Sequence, residues 1–399
     1  MESSSLPLSG IKVVDLSRVL AGPFCAMLLS YLGAEVIKVE DHKGDEIRAW
    51  PPFTKDMSAS FLAVNVNKKD IVVDLMSDEG RQIVKDLVRG ADVLVENFKT
   101  GDMEKFGLSY EELKEINPGL VFTSISAFGR RGPRAKYPGY ETLLQAYSGI
   151  MDFTGVPGGE PVRSGVSFLD LSSGILGALA TVTALYRRKE NGEGALIEGS
   201  LLQSAVFMMT LQMSCFLNGG VLPKKLGSSH ASATPYQAFP TSDGHVLIAA
   251  ANQNLWEKLA RALGLDEMIS DERFQDNQSR MHNQPMFLEL LSEATRKWDT
   301  APLVELLVGA GVPSSRINNL ADLMEEGQVD ALGAVQDIDD PDYGKLRVSG
   351  PPFHMTGCGN GNLTRAPRLG EHTREILSGL DYDAARIEVL IEKGVVKAG

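Results

Sequence analysis

Residues 11–40 read IKVVDLSRVLAGPFCAMLLSYLGAEVIKVE, and the reading of this stretch decides the architecture. IKVVDL (11–16) is apolar and β-branched enough for a buried strand. A helical run follows, PFCAMLLSYLGA, with Pro23 in its first turn, where a missing N–H would have had no partner. EVIKVE (35–40) is a second strand. Strand, helix and strand in succession make one unit of a parallel sheet.

Working outward, the pattern repeats. Strand signals fall at 71–74, in ADVLVEN (91–97) and in LVFTSIS (120–126), separated by helices within DEGRQIVKDLVRG and SYEELKEINPG. The fold class is therefore α/β, with an open, mostly parallel sheet covered on both faces. Two helical stretches follow, at 173–188 and about 199–217. The texture changes near Pro223. KKLGSSHASATPYQAF reads as loop, and HVLIAA and three helical runs after it predict a smaller α+β domain. The tail carries strand signals and a closing helix that suit a return to the first domain. The expected division is 1–217, 218–327 and 328–399.

The chain has 399 residues, room for two or three domains with sizeable cores. A net charge of −13 argues against nucleic acid or an anionic membrane as partner. Cys25, Cys215 and Cys358 are far apart, which suggests a reducing compartment and gives no cysteine zinc site. Six scattered histidines lack ligand spacing, so no metal is expected. MESSSLPLSG is too short and polar for a signal peptide and lacks the arginines of a transit peptide. The apolar run at 174–186 falls short of the roughly 20 residues of a membrane span. These features read as a soluble cytoplasmic protein, or a mitochondrial matrix protein in a eukaryote.

Several familiar chemistries are unsupported. The first β–α turn, DLSRVLAGPF, has one glycine where a dinucleotide fingerprint needs three. GCGNGN (357–362) precedes no helix and reads as a turn. P-loop, HExxH and GxSxG patterns are absent. Three loops do leave strand C-terminal ends, where open α/β sheets bind ligands: SRVLAGP, ENFKTGDMEKFG and GRRGPRAK. With Arg18, Asn97 and Lys105 they suit a ligand carrying several phosphates, although a basic turn such as GRRGPRAK is more often simply solvated. SFLDLSSG (167–174) sets Asp170 between Phe168, Leu169 and Leu171, ahead of a helix. By itself that reads as an N-cap, worth about 1 kcal/mol.

LSGIKVVDLSRVLAGPFCAMLLSYLGAEVIKVE, VNVNKKDIVVDL, ADVLVENF, PGYETLLQAYSG, SFLDLSSGILGALATVTALYRR and APRLGEHTREIL, in this order, resemble the class III coenzyme A transferase family. Its members include carnitine, formate/oxalate and dicarboxylate CoA transferases. The resemblance runs from residue 7 to about 380. It implies a Rossmann-like sheet built from both chain ends, a smaller α+β domain, and two subunits interlocked as a homodimer. It implies that Asp170 is the catalytic aspartate, passing through an aspartyl anhydride and an aspartyl-CoA thioester. Tyr140 and Glu141 of PGYE would lie beside it. Val19 and the AGP turn from Ala21 would face the CoA chain, with Asn97 and Lys105 as further contacts. No cofactor beyond CoA, as substrate, is implied. Basic residues that some members carry are replaced here by Asp41 and Met76, which leaves Lys43, Arg48 or Lys69 for the phosphates.

Two alternatives follow from the same resemblance. The family includes α-methylacyl-CoA racemases, whose histidine would fall at Tyr140; His230 and His372 are the nearest spare bases. A CoA-binding protein without chemistry is the other. Formate/oxalate enzymes carry a glycine run in the loop over the site. SSHASATPYQAF (228–239) lacks it, so the acceptor expected is another short dicarboxylate such as succinate or mesaconate.

Overall fold

A computed structural model describes residues 6–358 and 361–399. The MESSS end of the leader reading and Gly359 and Asn360 of GCGNGN lie outside the described residues. The chain divides into two compact units. One comprises Met1–Ile150, Arg163–Val221 and Asp330–Gly399; the other comprises Met151–Val162 and Leu222–Val329.

The first unit is built on a seven-stranded sheet. Across it the strands run Val396–Lys397, Lys68–Val73, Glu35–Glu40, Lys12–Asp15, Val93–Glu96, Val121–Ser126 and Ala195–Ser200. All neighbours are parallel except Val396–Lys397, which pairs antiparallel with Lys68–Val73. The helix-bearing crossovers between them account for the parallel pairing. The strand order reverses between Lys12–Asp15 and Val93–Glu96, as in doubly wound nucleotide-binding sheets. Val14, Ile71, Val73, Leu94 and Phe122 from the sheet share a core with Ile376, Leu377 and Leu390 from the C-terminal helices.

Element bounds shift in ways that matter. The first helix begins at Ala21 and runs to Tyr31, so Pro23 is its third residue and still within the free first turn. The strand expected at 71–74 spans Lys68–Val73, which places Lys68 in the interior. The helix expected from 173 begins five residues earlier, at Phe168, and runs 24 residues to Asn191. It is long and apolar enough to cross a bilayer, where the shorter apolar run was not, and half of its most apolar stretch is buried within the protein. The helix expected over 199–217 is broken into Leu201–Met208 and Thr210–Gly219, with a 72° bend between them.

In the second unit a three-stranded antiparallel sheet carries Tyr236–Pro240, His245–Ala249 and Ser314–Arg316. Its first strand lies inside the stretch expected to be loop. Helices cover it through Trp256, Phe287 and Leu303, and the turn before the Asn277–His282 helix adds Phe274, all fully buried.

The helices Ala21–Tyr31 and Phe168–Asn191 pack against one another. They approach closely because Gly174 has no side chain: a Cβ there would sit 2.7 Å from the Ala21 carbonyl oxygen and 3.2 Å from the Cys25 nitrogen. Both obstacles are backbone. Gly174→Val is therefore expected to destabilise the protein by about 1–3 kcal/mol through overpacking, measured as a lowered thermal unfolding midpoint.

Candidate active site

At the reversal point, outside the C-terminal ends of the strands, the first unit holds a cavity of about 440 Å³. Arg18, Val19, Asn97, Tyr140, Glu141 and Asp170 are among its lining residues. The three loops singled out in the sequence meet there, through Arg18 to Leu20, through Asn97 to Thr100, and through Ala135 and Tyr137.

The first loop is held from beneath. Lys68 Nζ lies 2.8 Å from Asp15 Oδ2, and Lys38 Nζ lies 3.0 Å from Asp45 Oδ2, with all four side chains fully buried. Burial works against the charge of Asp15, but Lys68 and Lys38 overcome it and hold the carboxyl below its usual range. Burial moves Lys68 down to about 8. Lys38 also donates to the Ser17 carbonyl at 2.9 Å, and the Ser17 N–H donates to Asp15 Oδ1 at 3.0 Å. Val19 then takes a φ of +66°, a left-handed conformation that a β-branched residue adopts only under constraint. Its N–H donates to both oxygens of Asp45 at 3.1 Å. Arg18 N–H donates to Asn97 Oδ1 at 2.8 Å, and Asn97 Nδ2 donates back to the Arg18 carbonyl at 2.7 Å. The turn is thus tied to the sheet and to the neighbouring loop.

Asp170 is the third residue of the Phe168–Asn191 helix, and Ser167 occupies the N-cap position. The N-cap reading of Asp170 is corrected accordingly. Glu141 opens the Glu141–Tyr147 helix and is buried, with Tyr140 exposed just before it. Burial first, and the Glu141 charge second, push Asp170 up to about 7. A helix N-terminus favours an ionised carboxylate, but here desolvation and the like charge prevail. Near neutral pH Asp170 is therefore close to half ionised, and its carboxylate is more basic than an exposed one.

Other residues lie apart from this cluster. Arg48 is consumed elsewhere: its Nη2 lies 2.5 Å from Glu40 Oε1, its Nη1 donates to the Pro367 carbonyl, and its guanidinium covers Phe61. Lys69 pairs with Glu35 and Glu375. Neither they, nor Lys43, nor Lys105 lines the cavity, and Lys105 pairs with Asp102. Ala21 does line it, whereas Pro23 uses its carbonyl to accept from Lys68. Arg18 faces the cavity with Asp41 at 3.2 Å, so the acidic replacement at 41 partners a cation of the site. On the GRRGPRAK turn, Arg130 is spent on Glu96 and Ser124, and Arg131 pairs with Glu198. His372 Nδ1 accepts from the Asp70 N–H, and His230 stacks on Tyr236 in the second unit.

Sequence reading missed the support. Lys38, Asp45 and Lys68 received no role, although a lysine flanked by the apolar Ile37 and Val39 of a buried strand is a visible signal. Lys99, an unassigned cation in the cavity wall, and Gln145, buried behind Glu141, were also missed.

A doubly wound sheet whose strand-end crevice holds two carboxylates, Glu141 buried and Asp170 partly buried, defines an α/β protein with a carboxylate-bearing site. The profile of CoA-transferase family III matches residues 8–373, and the chain belongs to that family. It is 39% identical over 397 residues to a succinyl-CoA:glutarate CoA-transferase of Mus musculus, covering 99% of this chain and 91% of that protein. It is 35% identical to a succinyl-CoA:mesaconate CoA-transferase of Haloarcula hispanica, covering 96% of this chain and 98% of the relative. Among solved structures, a CAIB/BAIF family protein from Brucella suis superposes with a TM-score of 0.85 at 38% identity, covering 94% of this chain and all of that one.

The electrostatics of the pair can be read directly. A carboxyl titrating at about 7 is expected in the wild type and absent in Asp170→Asn. In Glu141→Gln the like charge is gone, so the titration moves down, while burial keeps it above the range of exposed aspartates. Carboxyl infrared difference spectra across the pH range measure both.

Proposed function

We propose that this protein moves CoA from an acyl-CoA donor to a small dicarboxylic acid, with Asp170 as the covalent relay. The observation that carries the mechanism is a partly buried aspartate that lines the strand-end cavity next to Glu141, its carboxyl pushed up to about 7. The relatives named for succinyl-CoA with glutarate and with mesaconate support the choice of donor and acceptor.

In the first step an Asp170 carboxylate oxygen attacks the thioester carbonyl. The C–S bond breaks, leaving a mixed anhydride and CoA thiolate. The thiolate attacks the Asp170 carbonyl, and the anhydride C–O bond breaks to release the donor acid and form an aspartyl-CoA thioester. The acceptor carboxylate attacks that thioester and expels thiolate, giving a second anhydride. Thiolate then attacks the acceptor's acyl carbon, producing the new acyl-CoA and restoring the Asp170 carboxylate. Each difficult exchange is split into easier ones, and thioester energy is conserved throughout. Tyr140 and Glu141 border the acyl end, while Arg18, Val19, Ala21 and Asn97 line the approach for CoA. Lys99 is a further cation on that wall. No histidine occurs among the described residues lining the cavity, which favours transfer over racemisation.

Two copies of the chain assemble as an interlocked homodimer in this reading. Ile175, Leu179 and Tyr186 on one long helix, with Phe207, Leu211 and Leu217 on the bent pair, are large apolar side chains left exposed. Apolar exposure on this scale marks a surface that another protein surface covers.

Incubation with succinyl-CoA and glutarate is expected to yield glutaryl-CoA. Hydroxylamine added with succinyl-CoA alone should modify Asp170, and Asp170→Ala should lose transfer by at least about 1,000-fold. Substantial transfer by that variant excludes the covalent route. Light scattering on the eluted protein should give twice the chain mass; a monomer refutes the assembly.

A further inference from the structure

Behind the carboxylate pair, and outside the cavity lining, stands Gln145, fully buried on the helix that Glu141 opens. The backbone N–H of Ser164 donates to Gln145 Oε1 at 2.9 Å. That bond fixes the amide so that Nε2 faces Glu141, and it donates to Glu141 Oε1 at 2.6 Å. The Leu169 N–H, one residue before Asp170, donates to the same oxygen at 3.4 Å. Glu141 Oε2 is buried and has no partner among the described residues. One oxygen of the carboxylate is thus anchored by two donors and the other is left free.

We propose that Gln145 is a positioning residue for CoA transfer: its Ser164-oriented amide fixes the Glu141 carboxyl, with one oxygen anchored and the other unpartnered, against Asp170. The inference rests on the transferase reading above. A short hydrogen bond from an oriented amide fixes which way a buried carboxylate faces, so the amide sets the direction in which Glu141 presents its unpartnered oxygen. The cavity that Glu141 lines also carries Arg18, Glu46, Lys99, Asp102 and Asp170. Asp170 faces Glu141 from the long helix, and Leu201–Met208, also packed against the Glu141 helix, carries no titratable residue. The anionic Glu141 opposes the anionic form of Asp170. Acylation removes the Asp170 charge and passes it to the departing thiolate, so the repulsion is relieved along the reaction coordinate. Interactions that worsen the ground state and vanish in the transition state raise kcat. Gln145 serves this effect without touching substrate.

Two variants test the assignment. In Gln145→Met the donor is lost, and kcat should fall roughly 10- to 100-fold, as for loss of one charge-assisted hydrogen bond. KM for succinyl-CoA should stay within about two-fold. In Gln145→Glu the introduced carboxyl can donate to Glu141 only while protonated. Its rate relative to wild type should be substantial near about pH 5.5 and decline as pH rises and that donor ionises. A purely structural role would lower both variants equally at every pH. Wild-type kcat in Gln145→Met, or a pH-independent deficit in Gln145→Glu, overturns the proposal. If wild-type enzyme transfers CoA and Asp170→Asn does not, such a result leaves the transferase reading standing. An inactive wild type fails that reading instead.

Discussion

Two lysine–aspartate pairs buried beneath one turn carry the geometry of the site. Asp15, Lys38 and Lys68 come from three adjacent parallel strands, and Asp45 from the loop that follows Glu35–Glu40. Each ion has lost its water, so removing any one partner would strand an opposite charge, at a cost of about 3–5 kcal/mol. The pairs hold the backbone of Ser17 and Val19 in a conformation that valine would not choose. Arg18 and Asn97 then lock together across the reversal of strand order. A neutral, apolar filling could stabilise the sheet as well, yet it would offer no acceptor for the Val19 N–H and no donor for the Ser17 carbonyl.

Upon this floor the second layer is electrostatic in the opposite sense. The supporting network matches every charge with its counterpart, whereas Asp170 and Glu141 share sign. Desolvation and repulsion raise the basicity of Asp170 to a point useful at neutral pH. Close packing makes this possible. Gly174, one turn below Asp170, admits the first helix against the long one and brings the aspartate over the strand ends.

Much of the fold was legible from periodicity alone. Apolar strands alternating with helices named the parallel sheet, and the loops at strand ends named the side on which the cavity lies. Boundaries were less legible, because the long helix begins within SFLDLSSG, whose serines and aspartate resemble a cap more than a helical turn. The cationic side chains were least legible. Arg48 and Lys69 look as available as Arg18 in the sequence, but partners from Glu40 and Pro367, and from Glu35 and Glu375, occupy them. Glu40 is eight residues from Arg48, but Glu35, Pro367 and Glu375 reach Arg48 and Lys69 only through the folded sheet, so no local pattern predicts the full pairing.

The sequence by itself determined the class of sheet, the family and the identity of the candidate nucleophile, since these rest on hydrophobic period and on ordered motifs within short stretches. Tertiary structure decided which charges are free and which are spent, where Asp170 stands in its helix, and how basic it is. Ionisation depends on burial and on neighbours within a few ångströms, and Asp15, Lys68, Glu141 and Asp170 become neighbours only when the chain is folded.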